Sequence, residues 1–142
     1  MIRHILTFTL SLAIATPALA FDARCTPSSK QRIEAFEQAK DALFRGEFDR
    51  FDRIVNPFSG PRDQAVTDDL RRLSNSFPNG FRECAVVVQR RELPGFFQEV
   101  ILFDTGGAPL GLYLQGAVLR GDSFVTDFSL SADLGAIIGR LE

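Results

Sequence analysis

The chain has a single histidine, His4, which lies close to the start of the sequence. The remainder of the chain therefore lacks an imidazole, which excludes the Ser–His and Cys–His pairs that activate many nucleophiles. The same absence removes the commonest transition-metal ligand. The sequence holds only two cysteines, too few for a structural zinc site. We therefore predict no metal and no other cofactor.

Nucleotide and calcium motifs are also missing. There is no Walker A loop, and Gly106 and Gly107 lie between two predicted strands rather than before a helix. No segment has the acid spacing of a calcium loop. The formal net charge of −2 gives no long-range attraction for nucleic acid or anionic lipid. The sequence therefore predicts neither nucleic acid nor a membrane as a partner.

The N-terminus has the three parts of a secretory signal. Arg3 supplies the positive charge, Ile5–Ile14 is the apolar region, and Ala18–Ala20 follows Pro17 with small residues at the cleavage positions. A transmembrane anchor is the alternative, but the apolar run is well short of the roughly 20 residues that span a bilayer. We predict a signal peptide over residues 1–20, cleaved on export, and one periplasmic or secreted domain over residues 21–142.

Cys25 and Cys84 are the two cysteines. An even number of cysteines in an exported chain favours a disulfide bond. A redox-active pair is the alternative, but the sequence has no Cys-x-x-Cys motif. We therefore predict a structural bridge between Cys25 and Cys84.

The hydrophobic periodicity changes once along the chain, near Phe77–Gly80. Before this point apolar residues recur at helical spacing in three segments, and Ser28 with Gln31 forms a capping box before the first. Gly46 is placed to end that helix. After this point we predict four strands, over residues 82–91, 96–103, 110–120 and 123–130, and then a helix capped by Ser131. The short connections imply antiparallel neighbours. The predicted fold class is α+β: three N-terminal helices packed on a four-stranded antiparallel meander, with a short C-terminal helix.

The turns also suggest a register. A two-residue loop at Gly121–Asp122 pairs Ala117 with Thr126, and the turn at Pro94–Gly95 pairs Arg90 with Glu99. In this register a group of mostly polar side chains lies on the face that the helices cover, and we predict that it lines a ligand pocket: Tyr113, Gln115, Thr126, Gln98, Gln89 and Arg91. The alternative is a core tyrosine whose hydroxyl bonds to a glutamine or to the backbone.

Both faces of the predicted sheet carry apolar side chains, so each face needs a cover. The N-terminal helices cover one face. The C-terminal helix or a second copy of the chain covers the other, and we therefore predict a homodimer through the sheet face. The acids Glu47, Asp49 and Asp52 form a possible cluster, but acids at these helical spacings usually form a solvated surface.

The segment Ala42–Phe51 (ALFRGEFDRF) resembles the helix–glycine–acid–aromatic corner of the NTF2-like or cystatin-like α+β group. The order of helices followed by a meander is similar as well. The resemblance implies a sheet curled around the helices and, in members with activity, an Asp, Tyr or His in the pocket. Of these types, Tyr113 alone matches by type and direction. The helix after the fourth strand departs from many members of the group.

The lack of a catalytic set favours a small exported domain that binds a small ligand or an exported protein without catalysis. The alternative is a metal-independent hydrolase or isomerase, in which Tyr113 works with a carboxylate from a helix.

Overall fold

A computed structural model describes residues 25–58 and 60–142. The predicted signal peptide lies outside the described residues. The elements follow in the order α1 (Glu34–Phe44), α2 (Phe48–Val55), α3 (Gln64–Ser76), β1 (Cys84–Leu93), β2 (Phe96–Phe103), β3 (Leu110–Leu119), β4 (Asp122–Ser131) and α4 (Leu134–Ile138), with a final 3₁₀ turn at Gly139–Leu141. The predicted α+β class and the order of helices and strands are confirmed.

Helix α1 begins later than the capping box predicts. Its N-cap is Ile33, whose side chain cannot cap the helix, and Ser28 and Gln31 lie in the irregular segment before it. This segment, residues 25–33, is called the N-terminal arm below. The helix ends as predicted, because Gly46 follows the C-cap with φ of +74°. A positive φ of this kind costs glycine less conformational energy than it costs any residue with a Cβ atom.

A second glycine, Gly80, lies against the end of α1. Gly80 has φ of +74° and lies in the turn after α3. A Cβ atom added to Gly80 would lie 2.0 Å from the backbone oxygen of Phe44. The Phe81 N–H donates to that same oxygen at 2.8 Å. The two backbones therefore touch at a point where no side chain fits.

The four strands form one antiparallel sheet in the order β1-β2-β3-β4, so each strand pairs with its neighbour in sequence. The predicted strand bounds agree with the structure to within two residues. The predicted pairing of Val100 with Tyr113 is confirmed.

Bulges shift the register elsewhere. Between β1 and β2 the extra residue Glu92 beside the turn pairs Gln89 with Glu99, so the predicted pairing of Arg90 with Glu99 is wrong. A second bulge, at Val87, shifts the register again further along β1. The β3–β4 turn is formed by Arg120 and Gly121, both with positive φ, instead of Gly121 and Asp122. Since side chains alternate along a strand, a shift of the register by one residue moves every side chain of that strand to the other face of the sheet.

The two faces of the sheet have different covers. The first, called the helix face, packs against α1 and α2 and holds most of the core, including Ile101, Phe103, Leu112 and Leu114. The end of α3 reaches this face through ring contacts of Phe77 with Phe81 and of Phe81 with Phe103. The second, called the opposite face, carries Val88, Val100 and Tyr113 against the C-terminal segment. Helix α4 is capped by the Asp133 carboxylate, which accepts from two backbone N–H groups, and not by Ser131 as predicted.

The N-terminal arm is fixed to the outer edge of β1. The predicted disulfide between Cys25 and Cys84 is present, with a Cα–Cα distance of 4.3 Å. Backbone hydrogen bonds continue the attachment, from Thr26 N–H to Cys84 O at 2.7 Å and from Val86 N–H to Pro27 O at 2.9 Å. The arm therefore covers the first part of an edge that would otherwise be open.

Candidate functional site

The structure brings together only part of the predicted ligand group. Gln98, Tyr113 and Gln115 lie side by side on the opposite face, because Gln98 pairs with Gln115 in the register. Gln89 and Arg91 share the helix face with Glu99 and Phe97, their partners in β2. Thr126 is the extra residue of the bulge in β4 and is exposed. The six residues therefore do not line one pocket.

Tyr113 lies beneath the C-terminal helix and not beneath the N-terminal helices. Its side chain packs with Val100, Ile137 and Leu141 and is only 2% exposed. Gly111 allows this cover, because a Cβ atom there would come within 2.9 Å of the Ile137 side chain. Side chains of the chain itself thus fill the space around the tyrosine ring, and α4 would have to move to admit a ligand there.

The Tyr113 hydroxyl has the partners of a core tyrosine. It accepts from Gln98 Nε2 at 3.0 Å, and Gln115 Oε1 lies 3.5 Å away. Burial raises the pKa of this phenol above its ordinary value, and the hydrogen bond from Gln98 opposes the change only in part. Arg140 lies over the ring, 5.5 Å from its centre, and forms an ion pair with Asp127. A raised pKa keeps the hydroxyl protonated at neutral pH, so it is poorly suited to act as a base.

The far end of the opposite face lies beyond α4. Here the register sets Leu93 beside Phe96 and Phe96 beside Ala117, and Leu119 follows on β3. Leu93, Phe96 and Leu119 are 64%, 40% and 57% exposed. Six residues of strand separate Leu119 from Tyr113, or about 20 Å at the usual rise of a strand. We call Leu93, Phe96 and Leu119 the apolar end.

A charged cluster that the sequence analysis missed lies on the helix face. It consists of Ser29, Glu37, Lys40, Gln89 and Glu99, and we call it the Lys40 cluster. The Lys40 ammonium group donates to Ser29 Oγ at 2.6 Å, to Glu37 Oε1 at 2.6 Å and to Glu99 Oε2 at 3.0 Å. Glu99 is 0% exposed, and its second carboxylate oxygen accepts from Gln89 Nε2 at 2.7 Å. The cluster joins the N-terminal arm, α1, β1 and β2.

The contact between Ser29 and Lys40 has the residue types of a Ser–Lys nucleophile pair, but its geometry is different. A lysine that activates serine must be able to accept a proton. Lys40 instead donates to three acceptors, two of which are carboxylates, so its nitrogen has no free lone pair directed at the Ser29 hydroxyl. The cluster is therefore suited to holding the chain together and not to activating a nucleophile.

Burial raises the pKa of Glu99 above its ordinary value. The charge of Lys40 and the hydrogen bonds from Lys40 and Ser29 oppose this change, whereas the nearby charge of Glu37 adds to it. Two sequence signals could have revealed the cluster. Glu99 occupies an inward position of the most apolar strand, and Lys40 lies four residues after Phe36 on the buried stripe of α1.

The acids of α2 border a cavity of about 260 Å³ between α2 and α3. Asp52 and Asp49 line it together with Arg62 and Arg71. Asp52 forms an ion pair with Arg62, and Arg71 pairs with Asp68 at 3.1 Å. Pairing of this kind neutralises most of the charge, as expected for a solvated surface.

Within the described ranges, no three or more His, Cys, Asp or Glu residues are grouped so that they could hold a metal ion. In this same part of the chain, none of the helices has the length and apolarity needed to cross a membrane. Comparison of the sequence and structure with protein-family models, with curated proteins and with solved structures gave no match.

Proposed function

We propose that this chain is a small exported domain that binds a protein partner without catalysis, and that its first partner is a second copy of itself. The observation that carries the proposal is the apolar end. Three large apolar side chains lie together on the opposite face, beyond the reach of α4. Exposed apolar groups of this kind often mark interaction surfaces.

The size of the apolar end supports a docking role. Its three side chains leave roughly 300 Å² of apolar surface exposed, taking about 200 Å² for a large side chain in full contact with water. Patches of this size are often functional. A stable interface buries about 800 Å² on each partner. The apolar end would thus form the centre of an interface, with polar neighbours forming its rim.

The charges around the apolar end favour a second copy as the occupant. Glu92 and Asp122 are exposed acids near Leu93 and Leu119, and Arg120 is an exposed base beside them. A two-fold axis brings the same surface of two copies together. A rim that carries both acids and bases can then place each acid of one copy beside a base of the other.

Export is supported by two features together. The N-terminal sequence has the pattern of a secretory signal, and the Cys25–Cys84 disulfide is of the kind that persists in oxidising compartments. The kinship with the NTF2-like or cystatin-like group remains a prediction from the order of elements and the Gly46 corner. No specific observation favours the alternative hydrolase or isomerase, since Tyr113 lies under α4 with its phenol kept protonated.

Analytical ultracentrifugation at about 1 to 100 μM tests the proposed dimer, over the range in which weak interfaces form. The wild type should sediment as a dimer at the upper end, and Phe96→Ser should sediment as a monomer. Val87→Ser is the matched control, because Val87 is 50% exposed and lies on β1 six residues, or about 20 Å, before Leu93. A monomeric wild type at 100 μM, or equal loss of the dimer in both variants, would contradict the proposal.

A further inference from the structure

The outer edge of β1 is covered over only part of its length. The N-terminal arm pairs with this edge as far as Val86, whose N–H donates to Pro27 O at 2.9 Å. The arm then passes onto the helix face, where the backbone of Gln31 exchanges hydrogen bonds with the side chain of Gln89. Beyond Val86, none of the backbone groups in the described ranges bonds to the outer edge of β1. We call Val87–Leu93 the open edge.

The open edge presents backbone groups that still need partners. Alternate residues of an edge strand direct their N–H and C=O groups away from the sheet. Val87–Leu93 spans about 20 Å at the usual rise of a strand, so a strand of typical length can pair along it. An extended segment of another chain can therefore add to the four-stranded sheet, with backbone bonds like the one that the arm makes at Val86.

A groove of about 420 Å³ lies beside the first part of the open edge. Pro27, Ser28 and Lys30 of the arm form one wall, and residues 86–90 of β1 form the other. Val87 is 50% exposed at this place. The groove thus offers contacts for the side chains of an added strand as well as for its backbone.

The groove is bordered by bases that have no acidic partner. Lys30 and Arg90 line it, and Arg91 is the next residue of β1. All three are exposed, and none of them forms an ion pair within residues 25–58 and 60–142. Arg90 donates to a neutral acceptor, the backbone oxygen of Leu141, at 2.9 Å. Glu92 is the only acid of the open edge, so the side chains that border this edge carry a net positive charge.

These charges favour an acidic occupant over a second copy of the chain. A two-fold axis that joined two open edges would set Arg90 and Arg91 of one copy against the same residues of the other. Like charges directly opposite each other in a sheet are destabilising, and charged residues on an edge strand commonly prevent self-pairing. An acidic strand would instead bring its carboxylates to Lys30, Arg90 and Arg91.

We propose that the open edge binds an extended acidic segment of a protein partner, which adds to the sheet as a strand beside β1. Backbone hydrogen bonds attach the segment, and carboxylates that meet Lys30, Arg90 and Arg91 select it. The inference rests on the proposed role in protein binding, but it names a second partner and does not need the dimer. Leu93 alone belongs both to the open edge and to the apolar end, so Phe96→Ser leaves the open edge intact.

Fluorescence anisotropy with a synthetic peptide tests the proposal. The probe is Glu-Val-Glu-Thr-Glu-Val-Glu, labelled at its N-terminus and amidated at its C-terminus, whose β-branched residues favour an extended strand. The wild type and Phe96→Ser should bind it equally at low salt, with a Kd below about 100 μM. Lys30→Glu and Arg91→Glu should each weaken binding about five- to tenfold. Arg53→Glu is the matched control and should change binding less than about twofold, because Arg53 is an exposed base of α2 that does not line the groove.

A second peptide separates strand addition from simple charge attraction. It has the same sequence with a methyl group on each backbone nitrogen of its central residues, which removes their N–H donors and keeps every carboxylate. It should bind at least about tenfold more weakly than the first peptide. Equal binding of the two peptides, no binding of the first at about 1 mM, or equal effects of Arg91→Glu and Arg53→Glu would each overturn the proposal. Failure here beside a confirmed dimer would contradict this inference alone, and peptide binding by a monomeric wild type would contradict the dimer alone.

Discussion

Replacement of Gly80 by alanine should destabilise the fold far more than the same change at another glycine with the same backbone conformation. The added methyl group would lie 2.0 Å from Phe44 O and 2.6 Å from the Gly46 nitrogen. Both neighbours are backbone atoms, so the two segments must separate by more than 1 Å to reach an ordinary contact of about 3.5 Å. Separation breaks the 2.8 Å hydrogen bond from Phe81 N–H to Phe44 O.

The expected magnitude has three parts. Left-handed backbone costs an alanine about 1–2 kcal/mol, and part of this is returned because alanine restricts the unfolded chain. Loss of the Phe81–Phe44 hydrogen bond adds about 1 kcal/mol. Displacement of well-packed backbone and of the aromatic side chains beside it adds about 1–3 kcal/mol. We therefore expect Gly80→Ala to lower the free energy of unfolding by about 3 kcal/mol or more.

Gly106→Ala is the matched control. Gly106 has φ of +78°, close to the +74° of Gly80, but a Cβ atom there meets nothing within 4 Å. Gly106→Ala should lower the free energy of unfolding by about 1 kcal/mol, from backbone strain alone. Equilibrium unfolding in urea, followed by far-UV circular dichroism because the chain has no tryptophan, measures both variants. Equal losses in the two variants would refute the argument that backbone contact fixes Gly80.

Two further predictions concern the disulfide and the covered tyrosine. Reduction of the Cys25–Cys84 bond, which spans 59 residues of sequence, should lower the free energy of unfolding by about 4 kcal/mol. Thermal unfolding with and without reductant measures this loss, and a change below about 1 kcal/mol would contradict a stabilising role. Tyr113→Phe should cost about 1–3 kcal/mol, because the buried Gln98 Nε2 loses its acceptor. Urea unfolding measures the cost, and an unchanged stability would show that the hydroxyl is not a core hydrogen-bonding group.

The strands and their order could be predicted from the sequence because the signals are local. A run of mainly apolar residues marks β2, and glycine-containing turns mark the hairpins around it. The disulfide followed from the count of cysteines. The strand signals lie within a few residues of the elements that they predict, and the structure confirms both the strand order and the disulfide.

The register could not be predicted from the same information. The extra residues at Glu92, Val87 and Thr126 shift the register without a sequence signature in the surrounding strands. The turn at Arg120–Gly121 places a non-glycine residue at φ of +55°, where Gly121–Asp122 is the more usual pair. As a result Gln89 and Arg91 lie on the helix face, away from Tyr113.

The Lys40 cluster could not be predicted from the sequence either, for a different reason. Glutamate and lysine are seldom buried, so a general rule places them at the surface. Lys40 and Glu99 are 59 residues apart in sequence, and their pairing depends on how α1 crosses β2. Only the packing of the helix on the sheet shows that each side chain has a partner in the interior.

The attachment of Cys25 to the edge of β1 has a consequence for biogenesis. With two cysteines in the whole sequence, the chain has only one possible intramolecular pairing. Maturation therefore needs an oxidant for the thiols, but it gives a disulfide isomerase no wrong internal bond to correct. Because Cys84 begins β1, the closed bond ties the arm to the start of that segment in the unfolded chain as well as in the folded one.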